Sequence, residues 1–358
     1  MLLASKALQT AGAARPAFGI RIYQQRRCIL TALERSVPYL ISAVLLSSCR
    51  GPGVVPHGLS YQSTRSAPVN SIRIDSGSGN FVAKGGLGHE EKAITVFYHK
   101  PKNFTRRSPV LIVVPGAGRN GSDYRDAWVD ASERHGVLIL SPQYAEKEYP
   151  QFWSYNLGGM LTNVEISRDQ SRILHFDVNR NPNDWIFGDF DRIFSDVRDH
   201  LGLERTTYDM FGHSAGGQVL HRLTLFHPEN EADRILAGNS GWYTVPTFGD
   251  SFPYGLGNST ATAEQVVKAL QAELVVFLGE LDNESETRGD LVRTPEVDVQ
   301  GISRTQRGRY FFRKAMETTE TLNVQFNWKL KVVPNVGHDI QRMSEAAAEY
   351  LYSDAQSR

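Results

Sequence analysis

The chain has 358 residues, of which 41% are hydrophobic, so it can bury a large core, and its composition is neither low-complexity nor disordered. Residues 1–49 hold six of the 39 basic residues and one of the 39 acidic residues, which leaves 33 basic and 38 acidic residues beyond them, a net charge of −5. This mildly acidic remainder has no long basic stripe with interleaved aromatic residues, which excludes nucleic acid as a partner.

The amino-terminal segment has the layout of an export signal. Arg35 precedes an apolar stretch, residues 37–46, that is too short for a membrane span of about 20 residues. The stretch runs into Leu-Ser-Ser-Cys49, which resembles the lipobox of bacterial lipoproteins, in which the cysteine becomes the lipidated first residue. We therefore expect residues 1–49 to be a signal peptide or lipoprotein signal, with export to the periplasm or the extracellular side and a lipid anchor at Cys49 as the only membrane attachment. The alternatives are ordinary cleavage nearby, or a start site placed too far upstream.

Cysteine usage restricts the chemistry of the folded part. Cys28 and Cys49 are the only cysteines, and both precede the fold. The folded part therefore has no internal disulfide, no thiolate nucleophile and no cysteine metal site. Residues 50–72 are rich in Gly, Pro and Ser without periodicity, which is typical of a flexible linker. We expect the catalytic domain over residues 73–358.

Beyond the linker, apolar strand patterns alternate with helical patterns, which predicts an α/β fold with a mostly parallel sheet covered by helices on both faces. Two long connections, residues 141–183 and about 240–260, interrupt this alternation, and connections of that length usually carry function. The predicted elements in chain order are strands 93–98 and 110–114, a helix with Tyr124, Ala127, Trp128 and Ala131 on one face that Gly136 ends, strand 137–140, a helix over 190–201, strand 206–211, a helix up to Phe226, strands 235–238, 274–279 and 324–333, and a last helix over 340–351.

The most specific motif is Gly212-His-Ser214-Ala-Gly216, which lies between a predicted strand and a predicted helix. The flanking glycines remove side chains that would collide where a strand turns sharply into a helix, so the Ser214 hydroxyl is left exposed at the carboxyl end of the sheet. Gly-x-Ser-x-Gly in this context is typical of a nucleophile elbow. We predict that Ser214 is a nucleophile.

A serine hydroxyl is a poor nucleophile at neutral pH and needs a base within hydrogen-bonding reach. His338 follows a predicted strand and precedes the last helix, which brings its imidazole to the same edge of the sheet as Ser214. His213, His221 and His227 lie on the elbow or its helix, from which they do not reach the serine hydroxyl easily. We therefore predict His338 as the base.

The base needs an orienting acid, which we expect at the end of an intervening strand. The strand over 274–279 runs into Glu280-Leu-Asp282, and we predict Asp282, with Glu280 as a second candidate. The acidic loop over 282–290 lacks the glycine and the terminal glutamate of a calcium loop, so no metal site is predicted there.

The oxyanion of a tetrahedral intermediate needs backbone N–H donors, one of which comes from the residue after the nucleophile, here Ala215. The second donor is expected from the loop after the early strand, residues 113–121, where Gly116 and Gly118 allow close approach. We place it on Ala117, with the Gly118 amide as an alternative. The loop lacks a Gly-Lys-Ser/Thr ending, so it is not a phosphate-binding loop.

Seven aromatic residues of the two long connections either line a groove for an acyl or aryl group or anchor the connections to the domain. They are Tyr144, Trp153, Tyr155, Trp185, Trp242, Tyr243 and Tyr254. We favour anchoring for most of them and substrate contact for Trp242, which directly follows the strand after the elbow helix. Tyr243 and Trp153 are the other substrate-binding candidates.

The elbow motif, Asp282 and His338, in the order serine, acid, histidine, resemble the α/β-hydrolase family from about residue 71 to the C-terminus. The block Val114-Pro-Gly-Ala-Gly-Arg-Asn-Gly-Ser-Asp-Tyr124 resembles the corresponding loop of secreted polyhydroxyalkanoate depolymerases and feruloyl esterases. The resemblance implies ester hydrolysis through an acyl-enzyme, without a cofactor. Pro115 departs from the pattern, because many esterases carry the histidine of a His-Gly motif there, so the second oxyanion donor and the substrate subgroup stay open.

The sequence as a whole predicts an exported serine hydrolase that cleaves small or polymeric carboxylic esters. A peptidase or thioesterase on the same fold is one alternative, because the same elbow supports both. A non-catalytic binding module on the cell surface is another, because fold alone does not establish function. The segment from Arg293 to Phe312 fits no subgroup signature.

Overall fold

The computed structural model describes residues 72–168 and 172–353. The predicted signal over residues 1–49, with Cys28 and Cys49, and the predicted linker up to residue 71 lie outside the described residues. The strands in chain order are β1 (Gly77–Lys84), β2 (Ala93–Lys100), β3 (Val110–Val114), β4 (Leu138–Gln143), β5 (Leu161–Ile166), β6 (Ile173–Val178), β7 (Tyr208–His213), β8 (Ala232–Gly238), β9 (Leu274–Gly279) and β10 (Lys329–Val333).

The helices surround these strands. They are α1 (Gly121–Asp126), α2 (Val129–His135), α3 (Phe187–Leu201), α4 (Ala215–Phe226), α5 (Ala263–Gln271), α6 (Pro295–Asp298), α7 (Arg304–Leu322) and α8 (Ile340–Tyr352), with a 3₁₀ turn at Pro182–Asp184. None of the helices described is both long and apolar enough to cross a lipid bilayer.

Eight strands form one sheet in the order β1-β2-β4-β3-β7-β8-β9-β10. The pairs β1–β2 and β2–β4 are antiparallel, and the remaining pairs are parallel. Strands β5 and β6 pair with each other in a separate antiparallel ribbon. The mostly parallel sheet confirms the prediction from the alternating pattern.

Both faces of the sheet are covered by helices. All five residues of β3 are buried, and they alternate between two apolar clusters, because successive side chains of a strand point to opposite faces. The cluster that contains Leu111 and Val113 includes side chains of α1, α2 and α8. The cluster that contains Ile112 includes side chains of α3, α4, α5 and α7. The predicted α/β class is therefore confirmed.

The single helix predicted around Tyr124 to Ala131 is wrong in one respect, because two short helices, α1 and α2, occupy this part of the chain. The Trp128 amide donates to the Arg125 carbonyl at 3.0 Å, three residues back, which ends the α-helical ladder of α1. The Trp128 ring is fully buried against Phe211, with ring centroids 5.4 Å apart. Gly136 ends α2 in the left-handed conformation, as predicted.

The predicted strand over 324–333 is too long, because only Lys329–Val333 pairs as β10. Asn323 ends α7 with a left-handed cap (φ 51°), and the Asn327 amide donates to the Leu270 carbonyl at 3.0 Å. The chain between them therefore connects a helix to the sheet instead of extending a strand. Helices α5 and α7, strand β1 and the β5–β6 ribbon lie in segments for which no element was predicted.

Helix α4 carries a fully buried histidine, His221, that fastens the connection after β8. Its Nδ1 donates to the Gly217 carbonyl at 3.0 Å, and its Nε2 accepts from the Thr244 amide at 3.0 Å. These two partners require the neutral imidazole with its proton on Nδ1, because a carbonyl only accepts and an amide N–H only donates. Burial, followed by the nearby Arg222 charge, holds the pKa of His221 well below 6.5.

Folding should therefore weaken in mild acid. Below pH 6.5 the unfolded chain binds a proton at His221 that the folded chain does not, so the free energy of unfolding falls as the pH falls, by on the order of 1.4 kcal/mol per pH unit from this residue. We expect urea unfolding between pH 7.5 and 5.5 to show a shallower pH dependence for His221→Gln than for the unsubstituted chain. Equal slopes would contradict the neutral, buried imidazole.

Candidate active site

Ser214 lies in a sharp turn between β7 and α4, with φ 59° and ψ −116°, a conformation that is strained for a residue with a side chain. The Ser214 amide donates to the Gly238 carbonyl at 2.9 Å, which fixes the turn to the end of β8. A Cβ on Gly212 would lie 2.5 Å from the Gly216 backbone, and one on Gly216 would overlap the Val114 carbonyl. The turn therefore requires both glycines of the predicted elbow.

The structure brings Asp282, not Glu280, to His338. The Asp282 carboxylate, 1% exposed, accepts a hydrogen bond from His338 Nδ1 at 2.7 Å. Glu280 is exposed, and its carboxylate accepts instead from the Asn335 amide at 2.8 Å. Because Nδ1 holds the proton in this hydrogen bond, the neutral His338 ring leaves Nε2 as its acceptor.

A second cation contacts Asp282. The guanidinium of Arg304, 3% exposed, lies 3.2 Å from the other carboxylate oxygen, and also donates to the Gly289 and Asp290 carbonyls at 3.1 Å. This loop packs on the imidazole, since a Cβ on Gly289 would lie 3.2 Å from His338 Nε2. Arg304 therefore holds the acid and the loop that covers the base together. Sequence reasoning missed it, because an arginine in an unassigned segment gives no sign of being buried.

The loop of His338 is fixed by two further groups. The Asn239 side chain accepts from the Gly279 amide at 2.7 Å and donates to the Gly337 carbonyl at 3.3 Å, so it joins the ends of β8 and β9 to this loop. The His338 amide donates to Glu286 at 2.6 Å. A hydrogen bond from Arg288, and then that amide, hold the pKa of Glu286 far below its ordinary value.

The imidazole of His338 lies next to the elbow, because its ring centroid is 4.4 Å from that of His213, the residue before Ser214. His213 is buried, and its Nδ1 lies 3.4 Å from the Tyr124 hydroxyl. Burial, followed by His338 and Arg304, holds the pKa of His213 well below 6.5. A neutral imidazole therefore lies against the His338 ring.

Both predicted oxyanion donors line the same cavity as Ser214. Ala215 opens α4, and Ala117 lies in the loop after β3. Within residues 72–168 and 172–353, neither amide donates a hydrogen bond to another backbone or side-chain acceptor. Gly116 lies next to Ser214, since a Cβ there would be 3.5 Å from the Ser214 Cβ, and the position needs a glycine because that Cβ would lie 2.5 Å from the Tyr124 hydroxyl.

The first long connection holds the Ala117 loop in place. The Tyr155 hydroxyl donates to the Pro115 carbonyl at 2.6 Å, and Arg119, with φ 52°, donates to the carbonyls of Tyr144, Tyr149 and Gln151. The Arg119 guanidinium also lies 5.0 Å above the Tyr155 ring. Tyr144, Tyr155 and the more distant Trp185 are buried in the core, which is an anchoring position.

Ser214 opens onto a cavity of about 250 Å³ with mostly apolar walls. The ribbon of β5 and β6 contributes Ile166 and Ile173, and other segments contribute Phe152, Trp242, Tyr254, Val292 and Val297. Arg172 and Asp290 are the charged residues among those that line it. Arg172 is paired with Glu296 at 2.8 Å. The cavity is therefore suited to an apolar group with little net charge.

Of the three predicted substrate-binding aromatics, only Trp242 lines this cavity, over the guanidinium of Arg222 at 4.2 Å. Tyr243 is fully buried and stacks on Phe311, with ring centroids 4.6 Å apart, so it lies in the core and not in the cavity wall. Trp153 is half-buried and packs edge-on against Phe152, at 5.2 Å, which takes the position in the cavity wall instead. The predictions for Tyr243 and Trp153 need this correction.

Among the described residues, no group of three or more His, Cys, Asp or Glu side chains is arranged to hold a metal ion.

Comparison with known proteins identifies the family. No protein-family model matches the chain, and no curated protein matches it. Among solved structures, poly(aspartic acid) hydrolase-1 from Sphingomonas sp. KT-1 is 32% identical, with a TM-score of 0.69 over 77% of this chain and 98% of that one. The chain belongs to the α/β-hydrolase superfamily. The chain is also similar to LpqC, a poly(3-hydroxybutyrate) depolymerase from Bordetella parapertussis, with 28% identity and a TM-score of 0.68 over 79% of this chain and 94% of that one.

The contact between the first long connection and the Ala117 loop can be tested by substituting two buried tyrosines of this protein. We expect Tyr155→Phe to lower the free energy of unfolding by about 1–3 kcal/mol, because it leaves the Pro115 carbonyl buried without its donor. The matched control is Tyr149→Phe, which removes a buried hydroxyl that has no hydrogen-bond partner among the described residues and should not destabilise the fold. Urea unfolding measures both values. Equal losses in the two variants would contradict a specific role for the hydrogen bond of Tyr155.

Proposed function

We propose that this protein is a carboxylic ester hydrolase that works through an acyl-enzyme, with Ser214 as nucleophile, His338 as general base and Asp282 as the acid that orients it. The observation that carries the proposal is the buried hydrogen bond of 2.7 Å between His338 and Asp282, beside a serine held in a strained turn at a cavity. A serine hydroxyl with a base and an orienting acid is the arrangement that acyl transfer requires.

Each group then has one task. His338 Nε2 takes the proton of the Ser214 hydroxyl as the oxygen attacks the substrate carbonyl, and later gives that proton to the leaving alcohol. Asp282 keeps the Nδ1 proton in place and stabilises the imidazolium. The sharp turn at Ser214 holds its side chain clear of helix α4. Water then attacks the acyl-enzyme by the same proton transfer through His338, which releases the carboxylic acid and restores the Ser214 hydroxyl.

The oxyanion of both tetrahedral intermediates is assigned to the amides of Ala215 and Ala117. Support comes from their common cavity and from their lack of any other acceptor among the described residues. Donors of this kind contribute about 100- to 1000-fold each to turnover. The Ala117 loop takes its position from Tyr155 and Arg119, so the first connection acts on catalysis through that loop.

The nucleophile is tested by substitution and by covalent labelling. We expect Ser214→Ala to lower turnover of a 4-nitrophenyl ester by roughly 10⁴- to 10⁶-fold and to abolish labelling by a fluorophosphonate probe. Ser285, on the exposed acidic loop, gives the matched control Ser285→Ala, which should keep both activity and labelling. Labelling that survives in Ser214→Ala would show that another residue is the nucleophile. An unlabelled wild-type chain would favour the non-catalytic binding module.

The acid is tested by a second matched pair. Asp282→Asn should lower kcat by about 10³- to 10⁴-fold, because an amide in place of the carboxylate neither stabilises the imidazolium nor holds the proton of the neutral ring on Nδ1. Glu280→Gln, two residues away and facing Asn335, should change kcat by less than about twofold. Steady-state kinetics with circular dichroism as a folding control measures both. A larger loss in Glu280→Gln would reverse the assignment of the acid.

Amide hydrolysis is a second candidate, because one of the similar structures is a poly(aspartic acid) hydrolase. The cavity favours the ester, since its walls are mostly apolar and its one arginine is paired with Glu296, whereas poly(aspartic acid) carries a carboxylate on every residue. A poly(3-hydroxybutyrate) depolymerase among the similar structures agrees with a neutral polyester as substrate. Hydrolysis of a 4-nitrophenyl ester beside an aminoacyl anilide and poly(aspartic acid) separates the two classes.

The cellular location of the protein is part of the same proposal. An export signal over residues 1–49 with lipidation at Cys49 would hold the enzyme outside the cytoplasm, where polymeric esters too large to enter the cell are met. A linker over residues 50–72 would separate the domain from the anchor.

A further inference from the structure

Gln218 lines the cavity, and its side-chain nitrogen donates to no acceptor among the described residues. It lies on α4 one turn after Ser214, lines the same cavity and is 6% exposed. Its backbone amide donates to the Ser214 carbonyl at 3.1 Å, which fixes the separation of the two residues at one helical turn, about 5.4 Å. Side chains of a helix lean toward its N-terminus, so the Gln218 amide group extends toward the serine.

A buried arginine determines which end of this amide faces the cavity. Arg222 is fully buried, and its Nη1 lies 3.4 Å from Gln218 Oε1, in addition to hydrogen bonds to the Asn156 and Gln218 carbonyls at 2.9 and 3.1 Å. An arginine only donates, so it selects the oxygen of the amide and turns the nitrogen away from itself. The Nε2 atom then lies beside Gly241 in the cavity wall, where a Cβ would come within 3.0 Å of it.

The Gln218 nitrogen has two N–H groups, and within the described parts of the chain it donates to no protein acceptor. Arg222 forms no ion pair with a described carboxylate, and its Nη2 has no hydrogen-bond partner there. An N–H group in the wall of an apolar cavity loses its contact with solvent when a ligand fills the cavity, so this amide favours an occupant that brings an acceptor.

We propose that Gln218 is a specificity-determining residue whose amide N–H groups bind a second, neutral oxygen of the acyl group, close to the scissile carbonyl. The inference rests on the proposed function in one respect, because the scissile carbonyl must lie at Ser214. The substrate class is then an acyl ester that carries a hydroxyl, ether or further ester oxygen a few bonds from the reacting carbon. A plain aliphatic acyl group would leave the donor unpaired. Arg222 acts on this selectivity only by positioning Gln218.

The test compares 4-nitrophenyl esters that share one leaving group and differ in the acyl chain. They are the butyrate, the 3-methoxybutyrate, whose extra oxygen only accepts hydrogen bonds, and the 3-hydroxybutyrate, whose extra oxygen accepts and donates. The measured quantity is kcat/KM for each oxygen-bearing ester divided by kcat/KM for the butyrate, so the active-enzyme concentration cancels. The full chain is used throughout.

Gln218→Met keeps the length of the side chain and removes the donor. Arg222 keeps its bonds to the Asn156 and Gln218 carbonyls in this variant, so the fold should persist. We expect both ratios to fall about 3- to 10-fold, the effect of one neutral hydrogen bond. Gln218→Glu keeps the shape and supplies only acceptors, so it should lower the methoxy ratio and spare the hydroxy ratio. Gln325→Met, at an exposed glutamine outside the cavity, should change neither ratio.

The outcomes separate the two proposals. Turnover of the butyrate with ratios that are the same in wild type, Gln218→Met and Gln218→Glu would overturn the role of Gln218 and leave the ester hydrolase standing. A fall of the hydroxy ratio alone in Gln218→Met would also overturn it, because the substrate oxygen would then act as a donor. Absence of turnover of all three esters by the wild-type chain would overturn both.

Discussion

The buried carboxylate of Asp282 is the group on which the site depends, because it joins the end of β9 to His338 and to Arg304. A carboxylate in this position is costly unless its partners remain, and loss of one partner of a buried pair typically costs about 3–5 kcal/mol. Removal of either partner should therefore destabilise the fold as well as release the imidazole from the orientation proposed for it. Arg304 extends its effect to the Gly289 loop, which covers His338 and continues into the cavity wall at Asp290.

The sheet brings the proposed catalytic groups to one edge, whereas the connections determine their exact positions. Strands β3, β7, β9 and β10 end at one edge, so Ala117, Ser214, Asp282 and His338 converge although 221 positions separate the first from the last. Parallel strands make this convergence general for the fold. The exact place of the Ala117 amide, however, depends on Tyr155 and Arg119, which belong to neither neighbouring strand.

The sequence was sufficient for the parts that follow periodic rules. Strands β3 and β9, which are fully buried apolar runs, were predicted at their observed bounds, and the glycine pattern around Ser214 located the elbow. Helix α7 escaped prediction because its buried face includes Arg304 and Arg307, which look like solvent-exposed positions in a sequence. The direction of Tyr243 and the covered site of Trp153 depend on tertiary packing, which no local pattern encodes. Gln218 and Arg222 were missed for the same reason.

The ribbon of β5 and β6 stands apart from the central sheet in its backbone pairing, yet Ile166 and Ile173 from it form part of the cavity wall. A two-stranded ribbon is marginal alone, and this one is held by side chains such as Phe176 against the main core. The ribbon forms no backbone hydrogen-bond ladder with the strands that carry the proposed catalytic groups. Insertions and substitutions in the ribbon should therefore leave the pairing register of those strands unchanged. Exchange of the ribbon is therefore a way to reshape the cavity wall while the proposed reaction centre stays unchanged.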